Sequence, residues 1–346
     1  MNEKKKDIRA LSLQELEAYF SSIGEKPFRA KQVYEWLWNK NAHSLSDMTN
    51  LSKSLREKLD DHFIINPAEV HVMQRSVDGT IKNAVKLFDG NVVESVLIPT
   101  SKRTTACVSS QVGCSLDCTF CATARLTRMR NLTSAEIVDQ VALIDRQSKE
   151  YHQKPLSNIV FMGMGEPLLN YPAVTQAIRK ITDDKGLGMS PRRITVSTSG
   201  IPKMITKLAD EDLKVKLALS LHSAIEEKRN RLMPFSSKFP LTDIMDALQY
   251  WYSKTKSRIT FEYIVWNGIN DQKEDIDALI RFCKKVPSKV NLIQYNSIDE
   301  GGYSQASTPA TENYITSLEK NGIVAKIRKS RGEDIDAACG QLANKH

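Results

Sequence analysis

Hydrophobic and polar positions divide the chain into a helical N-terminal part and a longer part in which strands and helices alternate. Over residues 1–66, apolar side chains recur at helical spacing, and one helix carries them at a four-residue step from Leu51 to Phe63. Ser12 and Glu15 have the spacing of a capping box, which predicts where the first helix begins. This pattern predicts a small helical unit with its own core.

Strand-like alternation replaces the helical pattern at about Glu69. Two dipeptides typical of tight hairpin turns, Asp78-Gly79 and Asp89-Gly90, interrupt the alternating runs. Residues 69–98 are therefore predicted to form a three-stranded antiparallel meander.

From Thr104 onward, short β-rich runs alternate regularly with helical patterns. The predicted strands lie near residues 104–109, 158–162, 193–198, 215–220, 258–265, 290–295 and 323–328. The helices between them are predicted to begin near Thr133, Pro172, Pro202, Leu241, Gln272 and Thr311. Successive βα units imply an α/β protein with a parallel sheet, either doubly wound or curled toward a barrel.

Composition narrows the class of protein. The 346 residues include 49 Lys and Arg against 41 Asp and Glu, a net charge of +8 that favours an acidic partner such as nucleic acid. No apolar run approaches the ~20 residues of a membrane helix. The N-terminal lysines are not followed by an apolar segment, which argues against a secretory signal. We expect a cytoplasmic protein with no membrane partner.

Six cysteines are too few for a disulfide scaffold, but three of them, Cys114, Cys118 and Cys121, form the pattern CxxxCxxC. Thiolates favour zinc or iron–sulfur centres. A structural zinc site normally takes four protein ligands, whereas three thiolates suit an iron–sulfur cubane with one iron left for another ligand. A zinc site and three merely buried cysteines remain as alternatives.

Polar and glycine-containing motifs follow several of the predicted parallel strands. GMGE follows the strand at 158–162, STSG ends the strand at 193–198, SLHS ends the strand at 215–220, and Asn296 follows the strand at 290–295. Each motif alone has an ordinary explanation as a turn, a loop acid or a strand-end hydroxyl. Together they lie at the carboxyl ends of strands, where βα folds build their sites, and they predict a cofactor site.

With Phe120 before its last cysteine, CxxxCxxC resembles the signature of radical S-adenosylmethionine (radical SAM) enzymes. From about Glu94 to the C-terminus the chain resembles the RlmN/Cfr family of RNA methyltransferases, and within it the RlmN branch. The resemblance lies in the blocks CVSSQVGCSLDCTFCAT, FMGMGEPLLN, SPRRITVSTSG, LALSLHS and DIDAACGQL. Ala124 is a departure, because the family pattern has glycine there.

The resemblance implies a partial (βα)6-type radical SAM barrel with a small N-terminal helical domain and a β-hairpin extension. We accordingly divide the chain into a helical accessory domain (1–68), a bridging β-meander (69–99), the radical SAM core (100–333) and a C-terminal tail (334–346).

The resemblance also implies two cofactors. One [4Fe–4S] cluster per chain would be bound by Cys114, Cys118 and Cys121. The implied ligands of S-adenosylmethionine are Gly165, Glu166, Ser197, Ser220, Leu221, His222 and Asn296.

Three further residues receive catalytic roles from the resemblance. Cys339 in the tail would accept a methyl group from one S-adenosylmethionine, and a radical made from a second would activate that methyl for attack on adenine. Cys107 would then resolve the covalent protein–RNA adduct and leave a disulfide, while Glu94 would act as acid or base. Taken alone, Cys107 would be assigned to the core and Glu94 to a solvated hairpin, and Cys283 is predicted only to pack.

The implied substrates are C2 of an adenosine in 23S rRNA, at the peptidyl transferase centre, and the adenosine beside the anticodon of some tRNAs. The enzyme would work as a monomer with an unidentified one-electron reductant. Basic residues near the motifs, including Arg130 and Arg328, are candidates for phosphate contacts. Proline in GEPLLN, instead of a Cfr-like GEALAN, favours C2 over C8. C8 methylation and a non-catalytic zinc- and RNA-binding protein are the alternatives.

Overall fold

The computed structural model describes residues 5–298 and 302–345. Its N-terminal elements are β1 (Lys6–Asp7), α1 (Leu13–Ser22), α2 (Phe28–Trp38), α3 (Lys53–His62) and β2 (Phe63–Ile64). The capping box that predicted the start of α1 is present: Ser12 Oγ accepts the Glu15 N–H at 3.2 Å, and the Glu15 carboxylate accepts the Ser12 N–H at 2.7 Å.

The predicted meander is confirmed as three antiparallel strands, β3 (Glu69–Arg75), β4 (Ile81–Lys86) and β5 (Val92–Pro99). It does not form a separate layer. Strand β5 pairs antiparallel with β6 (Thr104–Cys107), so the meander continues directly into the main sheet.

The rest of the chain alternates between strands and helices, as predicted. After β6 come β7 (Gln111–Val112), β8 (Arg130–Asn131), α4 (Ser134–His152), β9 (Asn158–Phe161), α5 (Tyr171–Thr182), β10 (Ile194–Thr198), α6 (Pro202–Asp210), β11 (Lys216–Ser220), α7 (Glu226–Leu232), α8 (Leu241–Thr255), β12 (Ile259–Ile264), α9 (Lys273–Cys283), β13 (Ser288–Ile293), α10 (Thr308–Lys320) and β14 (Val324–Arg328). Helix α7 was not predicted, because its short and mostly charged sequence, EEKRNRL, lacks an apolar stripe.

Strand order decides between the two predicted architectures. The main sheet runs β14-β13-β12-β11-β10-β9-β6-β5-β4-β3, and neighbours from β6 to β14 are parallel. In a doubly wound sheet the order in which strands are added along the sheet reverses partway. Here each crossover from β6 to β14 adds the next strand on the same side. The sheet therefore curls into a partial barrel, and the carboxyl ends of its parallel strands share one rim.

Buried polar contacts join the N-terminal helical unit to the barrel. Arg9 is 4% exposed, and its Nη1 donates to both carboxylate oxygens of Asp139 in α4 at 2.8 Å. Lys180 in α5 places its ammonium 3.5 Å from the ring centroid of Trp38 in α2. These contacts attach the unit to the outer helices, away from the rim. Among the described residues, no helix is both long enough and apolar enough to span a bilayer.

Candidate active site

A pocket at the barrel rim brings together most of the residues predicted to bind cofactors. It encloses about 960 Å³ not filled by protein atoms, part of it open to solvent. The predicted residues that line it are Cys114, Cys118, Cys121, Gly165, Glu166, Ser197, Ser220, His222 and Cys339. Residues from separate strands and from the C-terminal tail therefore meet at the rim, as the motif positions predicted.

The loop that carries the three cysteines joins β7 to β8, and a bridge between Cys114 and Thr127 closes its base. Gly113 begins the loop at φ +72°, where an added Cβ would lie 2.5 Å from the Thr127 carbonyl oxygen, so glycine is required. Ala124, the departure from the family pattern, lies in the 3-10 turn Ala122–Arg125 without a positive φ. Alanine therefore fits this turn without backbone strain.

The three thiols are buried against one another at the pocket wall. Burial raises the pKa of Cys114 to about 11, and burial together with Cys121 and Cys114 raises the pKa of Cys118 well above its ordinary value. Burial also raises the pKa of Cys121, while the backbone N–H groups of Ala124 and Thr123 oppose that rise. Without a cation the thiols keep their protons, so binding a metal must displace them.

This donor set fits an iron–sulfur cluster. Each thiol faces the same pocket, and each cysteine ligand of a cubane binds a different iron. Among the described residues, no three His, Cys, Asp or Glu side chains, these thiols included, lie close enough together to share a single metal ion, as a zinc site would require. Backbone N–H groups directed at the Cys121 sulfur are the kind of hydrogen bond that tunes such clusters.

Glu166 follows β9 and hydrogen-bonds to the backbone just after β10, at the edge of the pocket. Its carboxylate is 2% exposed and accepts N–H groups of Leu168 at 3.0 Å and Ser199 at 2.8 Å. Burial raises its pKa. Gly165 before it has φ +92°, and an added Cβ would lie 2.5 Å from the Gln111 side chain. The ordinary interpretation of Glu166 as an exposed loop acid is therefore wrong.

His222 follows β11 and is held in an unusual backbone conformation, with φ +58°. Its carbonyl accepts Asn270 Nδ2 at 2.7 Å, and its Nδ1 accepts the Ile264 N–H at 3.2 Å. Burial and the nearby Arg229 lower the pKa of the imidazole to about 3, so the ring is neutral. Leu221 beside it is fully buried, and its side chain does not line the pocket.

The C-terminal tail crosses the rim next to the cysteine loop. Asn296 Nδ2 donates to the Cys339 carbonyl at 3.1 Å, and the Ala122 N–H donates to the Gly340 carbonyl at 2.7 Å. Thr123 Oγ1 donates to the Leu342 carbonyl at 2.6 Å. The oxygen of the Asn296 amide is buried without a hydrogen-bond partner, which leaves one acceptor for a ligand.

Glu94 also contacts the tail. Its side chain is 1% exposed, and one carboxylate oxygen accepts the N–H groups of Ala343 at 2.8 Å and Asn344 at 3.1 Å. The other oxygen lies 3.5 Å from Lys82 Nζ. The expected apolar surroundings therefore include a buried ammonium, and the ordinary interpretation as a solvated hairpin glutamate is wrong.

Cys107 and Cys339 are brought into the same site although they lie far apart in the chain. Burial and the neighbouring Cys339 raise the pKa of Cys107 to about 12. Arg328, at the end of β14, interacts electrostatically with both cysteines, and its Nη1 lies 3.7 Å from Glu262 Oε2. All six cysteines are free in this structure.

The expected role of two arginines in phosphate binding does not match their contacts. Arg328 lines the pocket and pairs with Glu262. Arg130 is bonded to Asp89 at 2.6 Å and to Glu136 at 2.7 Å. Both guanidiniums already have carboxylate partners, so neither is a free phosphate ligand.

The sequence patterns did not assign a function to several residues whose contacts organise the site, among them Glu262, Gln111, Asn270 and Arg229. Glu262 lies inside β12 and Arg229 inside α7, away from any recognisable motif. For Glu262 the sequence does contain a signal: a charged residue within the mostly apolar strand ITFEYI indicates a buried carboxylate that needs a partner.

Comparison with known proteins identifies the family. Residues 6–65 match the model described as the ribosomal RNA large subunit methyltransferase N-terminal domain, and residues 108–283 match the radical SAM superfamily. A curated relative from Flavobacterium psychrophilum, named "Probable dual-specificity RNA methyltransferase RlmN", is 66% identical over 100% of this chain and 99% of its own. The "Dual-specificity RNA methyltransferase RlmN" of Marinobacter nauticus is 42% identical, covering 99% of this chain and 94% of its own.

A solved structure supports the same assignment. The crystal structure of a radical SAM methyltransferase from Sphaerobacter thermophilus superposes with a TM-score of 0.92 at 38% identity, covering 97% of this chain and 99% of that one. At this coverage the match includes both the helical unit and the barrel. The chain therefore belongs to the RlmN family of radical SAM RNA methyltransferases.

Proposed function

We propose that this enzyme methylates C2 of an adenosine in 23S rRNA, at the peptidyl transferase centre, and of the adenosine beside the anticodon in some tRNAs. The observation that carries the proposal is that Cys339 lines one pocket with the three-cysteine loop and interacts with the buried Cys107 next to that pocket. If the methyl group is carried on Cys339 during the transfer, both the cluster loop and the second cysteine must lie close to Cys339.

The pocket fits both proposed cofactors. Cys114, Cys118 and Cys121 would hold the cluster. The proposed ligands of S-adenosylmethionine that line the same pocket are Gly165, Glu166, Ser197, Ser220 and His222. Leu221 and Asn296, the other two proposed ligands, are buried beside the pocket and do not line it. One bound S-adenosylmethionine would supply the methyl group, and a second, given an electron by the cluster, would supply the means to abstract a hydrogen atom from that methyl group. The Leu221 N–H is bonded to the Glu262 carbonyl at 3.0 Å, and its carbonyl accepts the Ser223 N–H at 2.7 Å, so Leu221 would contribute through the second lone pair of that carbonyl.

This chain's own residues would carry the later steps. The Cys339 thiolate is the proposed methyl acceptor, and the guanidinium of Arg328 nearby would stabilise its negative charge. Once deprotonated, Cys107 would attack the Cys339 sulfur; the sulfur–sulfur bond forms as the bond between that sulfur and the adduct carbon breaks, and the electron pair left on the adduct takes up a proton to give the methylated base. Glu94 would take the proton that leaves the base, after its contacts with Ala343 and Asn344 have opened.

Several observations support RNA as the substrate. The net charge of +8 favours a polyanion. The matched relatives are named dual-specificity RNA methyltransferases, and the N-terminal match is described in terms of the large ribosomal subunit. The four-segment division, with the helical domain over residues 1–68, stays a prediction, as do the monomeric state and the one-electron reductant.

C2 is favoured over C8 by the proline in GEPLLN and by relatives that carry the RlmN name. The test is nucleoside mass spectrometry of rRNA and tRNA from a deletion strain, with and without the gene restored. We expect 2-methyladenosine to vanish from both RNAs on deletion and to return on complementation. Recovery of 8-methyladenosine would establish the C8 alternative, and unchanged RNA would contradict the proposal.

Iron and zinc analysis separates the enzyme from a non-catalytic RNA-binding protein. Chain purified without oxygen should contain about four irons and four sulfides and be brown. One zinc and no colour would favour the non-catalytic alternative.

A further inference from the structure

We infer that the guanidinium of Arg229 is a built-in counter-charge for the cysteine-bound cluster and makes reduction of that cluster easier. The inference rests on the proposed cluster and extends it to a residue that no motif marks. Arg229 lies in α7, outside the segments that suggested the site.

In the described part of the chain, Arg229 is buried without an ion-pair partner, and the exposed Glu226 on the same helix interacts with it only at longer range. Its side chain is 0% exposed, and Nη2 donates to the carbonyl oxygens of Ser199 at 2.6 Å and Ser220 at 3.3 Å. Nε and Nη1 are buried and have no hydrogen-bond partner. Among the residues described, no carboxylate oxygen lies within 4.0 Å of a guanidinium nitrogen of Arg229. The buried Arg9, in contrast, is paired with Asp139. A buried, unpaired charge is costly, so it indicates a missing partner.

The position of Arg229 identifies that partner. The segment that carries it is bound to the cysteine loop: the Leu232 carbonyl accepts the Thr119 N–H at 3.0 Å, and Asp117 Oδ1 accepts the Phe235 N–H at 2.8 Å. Arg229 interacts electrostatically with Cys118, whose thiolate it would stabilise. The cation therefore lies behind the loop that would hold the cluster.

The guanidinium of an arginine keeps its positive charge in proteins at neutral pH, also when it is buried. Three thiolates give a cubane a net negative charge, and the electron that it accepts makes it more negative. A fixed positive charge nearby stabilises the reduced form more than the oxidised form. Net charge, hydrogen bonds and burial are the main determinants of such potentials.

An alternative role is purely mechanical, because Arg229 joins the ends of β10 and β11 through two carbonyl groups. A mechanical anchor would depend on the shape and donors of the guanidinium. A counter-charge would depend on the positive charge, which lysine keeps with a different shape. The two roles therefore predict different results for lysine and methionine at this position.

The experiment compares full-length wild-type protein with Arg229→Met, Arg229→Lys and the control Arg231→Met, all reconstituted with iron and sulfide without oxygen. Arg231 lies on the same helix and is exposed, so its replacement removes the same charge at the surface. Iron and sulfide per chain are measured first. The midpoint potential of the cluster is then measured by a redox titration followed by electron paramagnetic resonance.

We expect Arg229→Met to make reduction at least tenfold less favourable, which is about 59 mV for one electron. Arg229→Lys should keep most of the wild-type potential, and Arg231→Met should match wild type. A fully loaded Arg229→Met protein with an unchanged potential would overturn the inference.

If Arg229→Met does not retain a cluster, the lysine variant decides. Wild-type iron content and potential in Arg229→Lys would support the counter-charge, whereas equal loss of the cluster from both variants would leave only the mechanical role. Absence of iron from the wild-type protein would instead contradict the proposed function itself.

Discussion

Two cysteines show how the surroundings of single residues decide their chemistry. Cys107 and Cys283 are both buried, and burial raises the pKa of each to about 12. Cys107 lies beside Cys339 and Arg328, while Cys283 ends α9 and has Ser288 beside it. The two thiols differ in their neighbours far more than in their burial. They therefore form a matched pair for testing the proposed resolution step.

We predict that Cys107→Ala stalls after attack on RNA. The protein should fold, hold iron and methylate Cys339, because Cys107 is not needed for those steps. Loss of the thiol leaves nothing to attack the Cys339 sulfur, so the covalent protein–RNA adduct should accumulate. A denaturing gel of protein purified with cellular RNA would show a band that ribonuclease shortens.

Cys283→Ala is the control for that experiment. It should cost about 1–2 kcal/mol of stability, as expected for a small buried side chain, and should turn over without an adduct. Multiple turnover by Cys107→Ala without an adduct would reduce Cys107 to a packing residue and exclude the two-cysteine mechanism.

The C-terminal tail carries Cys339, the proposed methyl acceptor, so we expect turnover to depend on this element. Hydrogen bonds hold it closed over the rim at both ends: Thr123 binds the Leu342 carbonyl, and Glu94 binds the Ala343 and Asn344 N–H groups. While the tail is closed, these contacts occupy the Glu94 carboxylate that we propose as the proton acceptor. The tail must therefore open before Glu94 can reach a base.

We predict that Thr123→Val loosens the tail without disturbing the barrel. Valine keeps the shape of threonine but leaves the Leu342 carbonyl without its 2.6 Å hydrogen bond; it also removes the hydroxyl contact with Cys121, so the iron content of the variant is measured as well. The loss is worth about 1 kcal/mol, which corresponds to about a fivefold rise in opening. Hydrogen exchange of the tail peptide, followed by mass spectrometry, should accelerate by that factor.

The matched control is Thr242→Val, because the exposed Thr242 hydroxyl bonds only to its neighbour Asp243 in the described structure. Tail exchange in that variant should equal the wild-type rate. Equal tail exchange in Thr123→Val and wild type would show that the Thr123 contact does not hold the tail.

Over the whole molecule, the helical N-terminal unit is docked on the outside of the barrel by buried charges. Arg9 bonds to Asp139 and also donates to the Asn66 carbonyl at 2.5 Å, while Asp139 accepts the Ala68 N–H at 2.9 Å. The pair therefore joins the first residues of the chain, the start of the meander and helix α4. Removing Arg9 leaves the Asp139 carboxylate buried without its ion-pair partner, whereas Arg9 also contacts Asp7 at 3.2 Å.

We predict that Arg9→Met destabilises the protein by about 3–5 kcal/mol, the usual cost of breaking a buried ion pair. Urea unfolding should show a lower midpoint. The double variant Arg9→Met with Asp139→Asn should recover much of that loss, because the amide oxygen still accepts the Ala68 N–H without a buried charge.

Lys53→Met is the control, since Lys53 and Glu57 form an exposed pair with side chains 84% and 64% accessible. Its unfolding free energy should change by less than about 1 kcal/mol. A loss of that small size for Arg9→Met would show that the helical unit is docked by apolar contacts and not by the ion pair.

Local sequence determined the elements and the chemistry-bearing motifs. Periodicity and turn dipeptides predicted the meander and the parallel strands, because these signals act between residues close in the chain. The spacing of Cys114, Cys118 and Cys121 within one loop likewise marked a metal-binding pattern without any knowledge of the fold. Helix α7 was not predicted, because only Arg229 and Leu232 among its residues are buried, and one apolar side chain makes no periodic pattern.

Only the tertiary structure decided which distant residues face one another. Strand order chose the partial barrel over a doubly wound sheet. It also placed Cys107 beside Cys339, Arg328 beside Glu262, and Arg229 behind the cysteine loop with no ion-pair partner among the described residues. Contacts between segments far apart in the chain leave no periodic signal in either segment. The charges and thiols were therefore visible in the sequence, but their partners were set by the curl of the sheet.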